Sequence, residues 1–232
     1  MSITQLDLLQ YITRIGIIFL ILPLHEFAHA WAAYKLGDDT ASYQGRMTLN
    51  PLAHVDPIGA VLLLFTGFGW AKPVPIDPRK FNRKHSMRFG VAITALAGPL
   101  SNLIAALIGM ILLQFFMLSG AYRDFLIAYY ANSGALTGGA MIYYILSFFI
   151  RINIGLCVFN LIPIPPLDGS KIVGYFTSGK FERWLIQNQM VISIAFMVLI
   201  FSRLLTKPLE AVSDWVYNGL AFITSWIPAL FG

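Results

Sequence analysis

The chain has 232 residues, of which 57% are hydrophobic and only 12% are charged, and its formal net charge is +5. This balance excludes an ordinary soluble domain. The positive charge does not indicate nucleic-acid binding, because the lysines and arginines lie beside apolar segments long enough to cross a bilayer. The composition therefore predicts an integral membrane protein.

Four apolar segments approach the roughly 20 residues that a helix needs to cross the hydrocarbon core. They cover residues 8–34, 89–118, 141–162 and 190–205. The first lacks the pattern of a cleaved signal peptide, so we expect it in the mature protein. A fifth segment, 209–231, contains Glu210 and Asp214 and suits an interfacial helix almost as well as a span. The predicted fold class is an all-α polytopic membrane protein.

The distribution of lysine and arginine predicts the orientation of these spans. The loop at residues 35–88 carries Lys35, Arg46, Lys72, Arg79, Lys80, Arg83, Lys84 and Arg88. The loop at residues 119–140 carries Arg123 alone. By the positive-inside rule the long loop is cytoplasmic and the short loop external. This predicts a multi-pass protein of the cell membrane.

The long loop is itself partly apolar. Residues 58–70 are too few to span and predict a membrane-dipping segment. Residues 42–49 and 71–77 have the Tyr, Val, Ile and Thr content of short β-strands, and Pro73 and Pro75 mark the second as an edge strand.

An HEFAH motif occupies residues 25–29, inside the first predicted span. His25 and His29 are four residues apart, so on a helix both imidazoles can reach one metal ion. Glu26 then lies beside the metal, where a carboxylate can take a proton from zinc-activated water. Placing these groups in an apolar span costs several kcal/mol unless they are paired or coordinated. The motif alone leaves open a structural polar cluster, or side chains that reach water at the cytoplasmic end of the span.

Asp168 is the best candidate for a further ligand, because catalytic zinc usually has three protein ligands and a water. It follows the cytoplasmic end of the third span, which runs in the same direction as the first, so topology places it at the depth of His25 and His29. The prolines at 163–166 exclude regular helix there and predict extended chain. Irregular backbone at membrane depth is tolerated where it lines a watery cavity. The sequence therefore predicts a single Zn²⁺ site toward the cytoplasmic side.

The HEFAH motif and the NLIPIPPLDG sequence at 160–169 resemble the site-2 protease family of intramembrane metalloproteases. The sequences GPLSN at 98–102 and NPLAHVDP at 50–57 are also similar to family signatures. Together they cover residues 20–175. The resemblance implies a three-helix core, zinc held by His25, His29 and Asp168, and Glu26 as general base. It also suggests that Asn102 and Asn160 hold substrate backbone or the oxyanion.

The chain has no repeat and no insertion large enough for a second folded domain, which predicts one metalloprotease domain over 1–232. We expect a catalytic core at about 8–178 and one or two further helices at about 185–231, a region that contributes nothing to the resemblance. The chain is expected to be a minimal prokaryotic type, without a PDZ or CBS domain. The expected partners are a transmembrane protein substrate and the lipid bilayer, with room for a regulatory partner and no role for nucleic acid.

Three points stay open at the level of sequence. His54 and Asp56 could form an auxiliary metal or proton site, or could cap a turn between prolines. Arg151 lies within the third span and needs a polar partner that the sequence does not identify. The alternative function is a metal transporter or sensor without proteolysis. Such a protein should offer ligands at several depths, whereas the sequence shows one cluster.

Overall fold

A computed structural model describes residues 11–12, 14–66, 69–131, 137–202 and 204–231. The chain divides into two compact units, the first formed by residues 1–102 and 156–207 and the second by residues 103–155 and 208–232. Among the described residues the regular structure is helical, with one isolated antiparallel bridge between Val55 and Ala71. The protein is therefore an all-α membrane protein, as its sequence predicts.

Three helices are long and apolar enough to cross a membrane. They are α1 (Arg14–Lys35), α4 (Met87–Met117) and α6 (Gly138–Asn160). They correspond to the first three predicted spans, although residues 8–10 and 13 of the first lie outside the described residues. A π-helical stretch, Ile17–Ile21, lies within α1 just before Pro23.

The remaining helices are shorter. They are α2 (Thr40–Tyr43), α3 (Pro57–Thr66), α5 (Gly120–Tyr130), α7 (Asp168–Phe176), α8 (Gly179–Gln187), α9 (Gln189–Phe201), α10 (Thr206–Thr224) and α11 (Trp226–Phe231). Helix α3 is apolar and has 10 residues, as expected for a segment too short to span.

The fourth predicted span is only partly confirmed. Helix α9 has 13 residues and is too short to span alone. Together α8 and α9 are long and apolar enough to cross a membrane, but they are bent by 71°, as in a broken span or a re-entrant loop. The fifth predicted segment is divided between α10 and α11, and neither has the length and hydropathy of a span.

The predicted β-strands at 42–49 and 71–77 are wrong within the described residues. Residues 40–43 form α2, and turns follow it up to Gly45, whose φ is +64°. Residues 71–77 are irregular. Within the described residues, their one β-bridge is the one between Val55 and Ala71. Pro73 and Pro75 explain this, because proline has no N–H for a β-ladder.

A small apolar core in the first unit fixes residues 71–77 against α1 and α2. Its buried members are Ala30, Ala41 and Val74, with Met47 and Ile76 packed against them. Ala30 directly follows His29 in the chain. The packing therefore brings this segment close to the HEFAH motif.

In the second unit, the structure supplies the partner that Arg151 requires. Nη1 of Arg151 on α6 lies 3.3 Å from Oδ1 of Asp214 on α10. The guanidinium also lies 4.8 Å from the ring centroid of Tyr217. Both members of the ion pair are more than half exposed, at 59% and 61% of their side-chain surface. In water such a pair contributes little, but in an apolar span the partner offsets the cost of the charge.

We expect Arg151→Gln or Asp214→Asn to lower the melting temperature in lipid nanodiscs by about 2–4 °C, since each leaves the other charge without its partner. The double variant should lose less than the sum of the two single losses, as thermal denaturation of all four proteins can show. Strictly additive losses would contradict an energetic coupling between these two residues.

Candidate metal centre

The two histidines of the HEFAH motif point the same way from α1. Their ring centroids are 4.6 Å apart and the rings are nearly perpendicular, at 88°. Their Nε2 atoms are 3.1 Å apart. His25 and His29 are 7% and 6% exposed. Helical spacing thus brings the two imidazoles of the motif together in a buried position where both could bind one metal ion.

Asp168, the first residue of α7, completes the group. Its Oδ2 atom lies 3.3 Å from Nε2 of His25 and 3.1 Å from Nε2 of His29. Asp168 is 6% exposed. The sequence predicted that these three residues would meet, and the described residues contain one such group.

The chain before Asp168 is non-helical, as its prolines predict, but it is folded into turns and is not extended. The N–H of Ile164 donates to the carbonyl of Ile162, and that of Leu167 to the carbonyl of Ile164. Gly169 lies against this turn, since a Cβ there would come within 2.3 Å of the Leu161 carbonyl oxygen. Only glycine permits this approach.

Hydrogen bonds on the far side of each ring fix the tautomers. Nδ1 of His25 lies 2.7 Å from Oδ1 of Asn102, and Nδ1 of His29 lies 2.7 Å from the carbonyl oxygen of Thr94. Both oxygens are acceptors, so both Nδ1 atoms donate. The Nε2 lone pairs are then directed toward Asp168, as metal-binding histidines require.

The donor set fits zinc. Ligand bonds of about 2.0–2.2 Å in a tetrahedral site separate the ligand atoms by roughly 3.3 Å, and the observed separations are 3.1–3.3 Å. Two neutral imidazole nitrogens and one carboxylate oxygen are ligand types that zinc takes in catalytic sites, with the fourth position left for water.

Glu26 does not belong to this group of three. Its Oε2 atom accepts a hydrogen bond of 2.9 Å from the backbone N–H of Val74. The two residues are 48 positions apart, and a backbone donor has no signature in the sequence. This contact links the HEFAH motif to residues 71–77.

A cavity of about 540 Å³ opens beside these residues, within the first unit. Its polar lining includes His25, Glu26, His29, Asn160 and Asp168. Most of the remaining lining is apolar, including Leu22, Trp70, Val91, Leu156, Phe159 and Phe196. Its volume and composition suit the binding of an apolar segment beside a few polar groups.

The structure separates the two asparagines that the sequence grouped together. Asn102 is fully buried behind His25 and lies outside the cavity lining. Asn160 lines the cavity, and its amide nitrogen donates to the carbonyl of Leu156. Of the two, only Asn160 has access to a bound molecule.

His54 and Asp56 are not brought to the metal group. His54 is 1% exposed, with Nε2 2.8 Å from the Thr48 carbonyl oxygen. Asp56 accepts a hydrogen bond from the N–H of Gly59 at the start of α3. These contacts favour the turn-capping interpretation.

One face of α4 supports the two histidines. Thr94, Gly98 and Asn102 are spaced four residues apart and therefore share this face. A Cβ on Gly98 would lie 2.4 Å from Nε2 of His29 and 2.6 Å from Cε1 of His25. The four-residue spacing is visible in the sequence, but the sequence does not show that this face of α4 lies against α1.

We expect Gly98→Ala to abolish metal binding and at least 90% of activity, because the added methyl group occupies the place of the imidazoles. Gly155→Ala on α6 is the matched control, since a Cβ there meets no atom within 4 Å. Metal analysis of both purified variants tests this. Full metal content in Gly98→Ala would show that α4 does not constrain the histidines.

Comparison with known proteins agrees with this site. The family model described as Peptidase family M50 matches residues 13–202. "Putative zinc metalloprotease YwhC" of Bacillus subtilis is 42% identical over 176 residues, which are 76% of this chain and 74% of that protein. "Putative zinc metalloprotease Rip2" of Mycolicibacterium smegmatis is 28% identical over 91% of this chain and 78% of its own length. No solved structure gives a significant match. A chain with the HEFAH motif, three apolar helices and this family match belongs to peptidase family M50, the site-2 protease family, and is a zinc-dependent peptidase.

Proposed function

We propose that this zinc metalloprotease hydrolyses peptide bonds of membrane-spanning proteins within or beside the bilayer. The observation that carries this proposal is the convergence of His25, His29 and Asp168, from two separate helices, at a largely apolar cavity that Glu26 also lines. A metallopeptidase that cuts apolar segments needs a metal site, a base and an apolar binding site together.

His25, His29 and Asp168 would hold the zinc. Bound zinc would supply a Lewis acid that polarises the scissile carbonyl and lowers the pKa of a water molecule. Glu26 would take the proton from the attacking water and pass it to the leaving amine. Because Val74 holds Oε2 of Glu26, the carboxylate is oriented before substrate arrives.

The two asparagines would have different roles. Asn102 would act on His25: its Oδ1 accepts a hydrogen bond from Nδ1–H, which keeps the Nε2 lone pair available for the metal. Asn160, at the cavity surface, would contact substrate backbone or the developing oxyanion.

A transmembrane substrate must unwind before it can be cut, because the backbone of a helix in lipid is hydrogen-bonded internally. Residues 71–77 are the better candidate for binding the unwound backbone, since residues 42–49 are folded into α2 and turns. Most of residues 71–77 line the cavity, and within the described part of the chain the backbone of Ile76 makes no hydrogen bond. Its N–H and carbonyl groups could pair with an extended peptide.

The orientation of the site belongs to the same proposal. The basic loop at 35–88 would be cytoplasmic in a multi-pass protein of the cell membrane. Residues 71–77, within that loop, contact Glu26. The active site would therefore be reached from the cytoplasmic side, and the chain would act as one metalloprotease domain.

Replacing the base and a ligand separately tests the roles. Glu26→Gln should keep wild-type zinc content but lose roughly 100-fold or more in turnover of a model membrane substrate. Asp168→Asn should lose zinc and activity together, because a neutral amide replaces a charged ligand. Glu210→Gln, an acidic position on α10, serves as the control and should change neither. Normal cleavage by Glu26→Gln would refute the assigned base, and full zinc in Asp168→Asn would refute the ligand.

Proline at position 74 tests the contact between the segment and the base. Val74→Pro removes the N–H that Glu26 accepts, so cleavage should fall by about tenfold or more while zinc content stays normal. Val74→Ala is the control for the loss of the buried side chain. It keeps this N–H and should cleave better than Val74→Pro. Equal activity of the two variants would show that the hydrogen bond from the Val74 N–H to Glu26 is not needed for cleavage.

A further inference from the structure

A buried arginine holds the beginning of residues 71–77. Arg46 is 9% exposed, and its Nη2 lies 2.7 Å from the carbonyl oxygen of Lys72 and 3.1 Å from that of Pro73. Its buried Nε atom has no hydrogen-bond partner. Among the described residues, no carboxylate lies within ion-pair distance of its guanidinium. Burying a cation on neutral acceptors is costly, so stability alone does not account for it.

A buried aspartate holds the end of the same segment. Asp38 is 1% exposed, and its Oδ2 accepts a hydrogen bond of 2.7 Å from the N–H of Asp77. Its Oδ1 accepts from the N–H and the hydroxyl of Thr40. Asp38 is thus fixed by α2 while it binds residue 77.

Between these two anchors, the N–H of Val74 donates to Glu26. Prolines at 73 and 75 prevent the segment from extending the Val55–Ala71 bridge into a β-ladder, and its backbone pairing stops at the hydrogen bond from the N–H of Lys72 to the His54 carbonyl. Beyond that point its position beside Glu26 depends on the packing of Val74 and on side-chain bonds, which Arg46 and Asp38 supply.

We propose that Arg46 and Asp38 are positioning residues of the peptidase. They fix residues 71–77 beside Glu26 and so determine where the backbone of an extended substrate lies relative to the base. This inference rests on the proposed proteolytic function. Neither residue lines the cavity, so both act through the segment that they hold.

The side-chain chemistry at position 46 fits this role. One terminal nitrogen of Arg46 binds the carbonyls of two successive residues, which a planar, multidonor guanidinium does well. An ammonium on a flexible chain would hold them less firmly. Arg46→Lys should therefore rescue only part of the function that Arg46→Met removes.

Hydrogen exchange separates this role from a general loss of structure. In zinc-loaded protein, Arg46→Met and Asp38→Asn should each speed amide exchange in the peptide covering residues 69–78 by about tenfold or more. Exchange in α4 and the zinc content should stay at wild-type values. The KM for a model membrane substrate should rise at least severalfold. Arg79→Gln is the matched control, because Arg79 also pairs with the segment, at Asp77, but its side chain is 83% exposed.

Unchanged exchange at 69–78 in Arg46→Met and Asp38→Asn would overturn the inference. So would faster exchange with wild-type KM and turnover, because the segment would then be held without consequence for cleavage. If Arg46→Met loses its zinc, Asp38→Asn decides between the outcomes. Equal cleavage by wild type and Glu26→Gln would instead refute the proposed base, and the exchange data would still report whether Arg46 holds the segment.

Discussion

The Nε2 atoms of His25 and His29 and the Oδ2 atom of Asp168 lie within 3.3 Å of one another, in a chain that is mostly apolar. Such a group needs either a metal or a set of compensating contacts, because polar atoms in apolar surroundings are costly to leave unpaired. The structure supplies compensating contacts from helix α4. Asn102 and the Thr94 carbonyl bind the outer nitrogens of the rings, and Gly98 makes room for them. Much of the first unit can be understood as support for these three side chains.

The candidate metal group and the proposed base depend on different parts of the chain. The proposed ligands lie on α1 and α7, and their rings are oriented by α4. Glu26 is instead oriented by a segment of the long loop, which packs against Ala30 and Ala41. The proposed metal binding and the proposed proton transfer therefore rest on separate sets of contacts. It also explains why a loop between two spans forms part of the cavity wall.

The site was more predictable than the loop that surrounds it. The spacing of His25 and His29, and the position of Asp168 after a parallel span, are properties of helical geometry and topology that a sequence displays directly. The strand predicted at 71–77 was wrong because residue preferences cannot reveal that Arg46, Asp38 and Glu26 bind the backbone there. The strand predicted at 42–49 was wrong because the helix at Thr40–Tyr43 and the turns after it occupy its first residues. The roles of Asn102 and Gly98 depended on which helix they face, and Arg151 required Asp214 from a distant helix. Long-range partners of this kind are absent from local sequence patterns.

The Glu26–Val74 and His29–Thr94 contacts both use main-chain atoms on one side. A main-chain carbonyl is present whatever residue the position carries, and a main-chain N–H is present for every residue except proline. Random mutation at residues 74 and 94 could therefore alter packing while leaving these polar contacts intact, and an alanine scan would miss them. Substitutions that keep the packing at these buried positions should leave the contacts intact, whereas any change that shifts the backbone should disturb them. Insertions or deletions near either position would be the sensitive class of mutation.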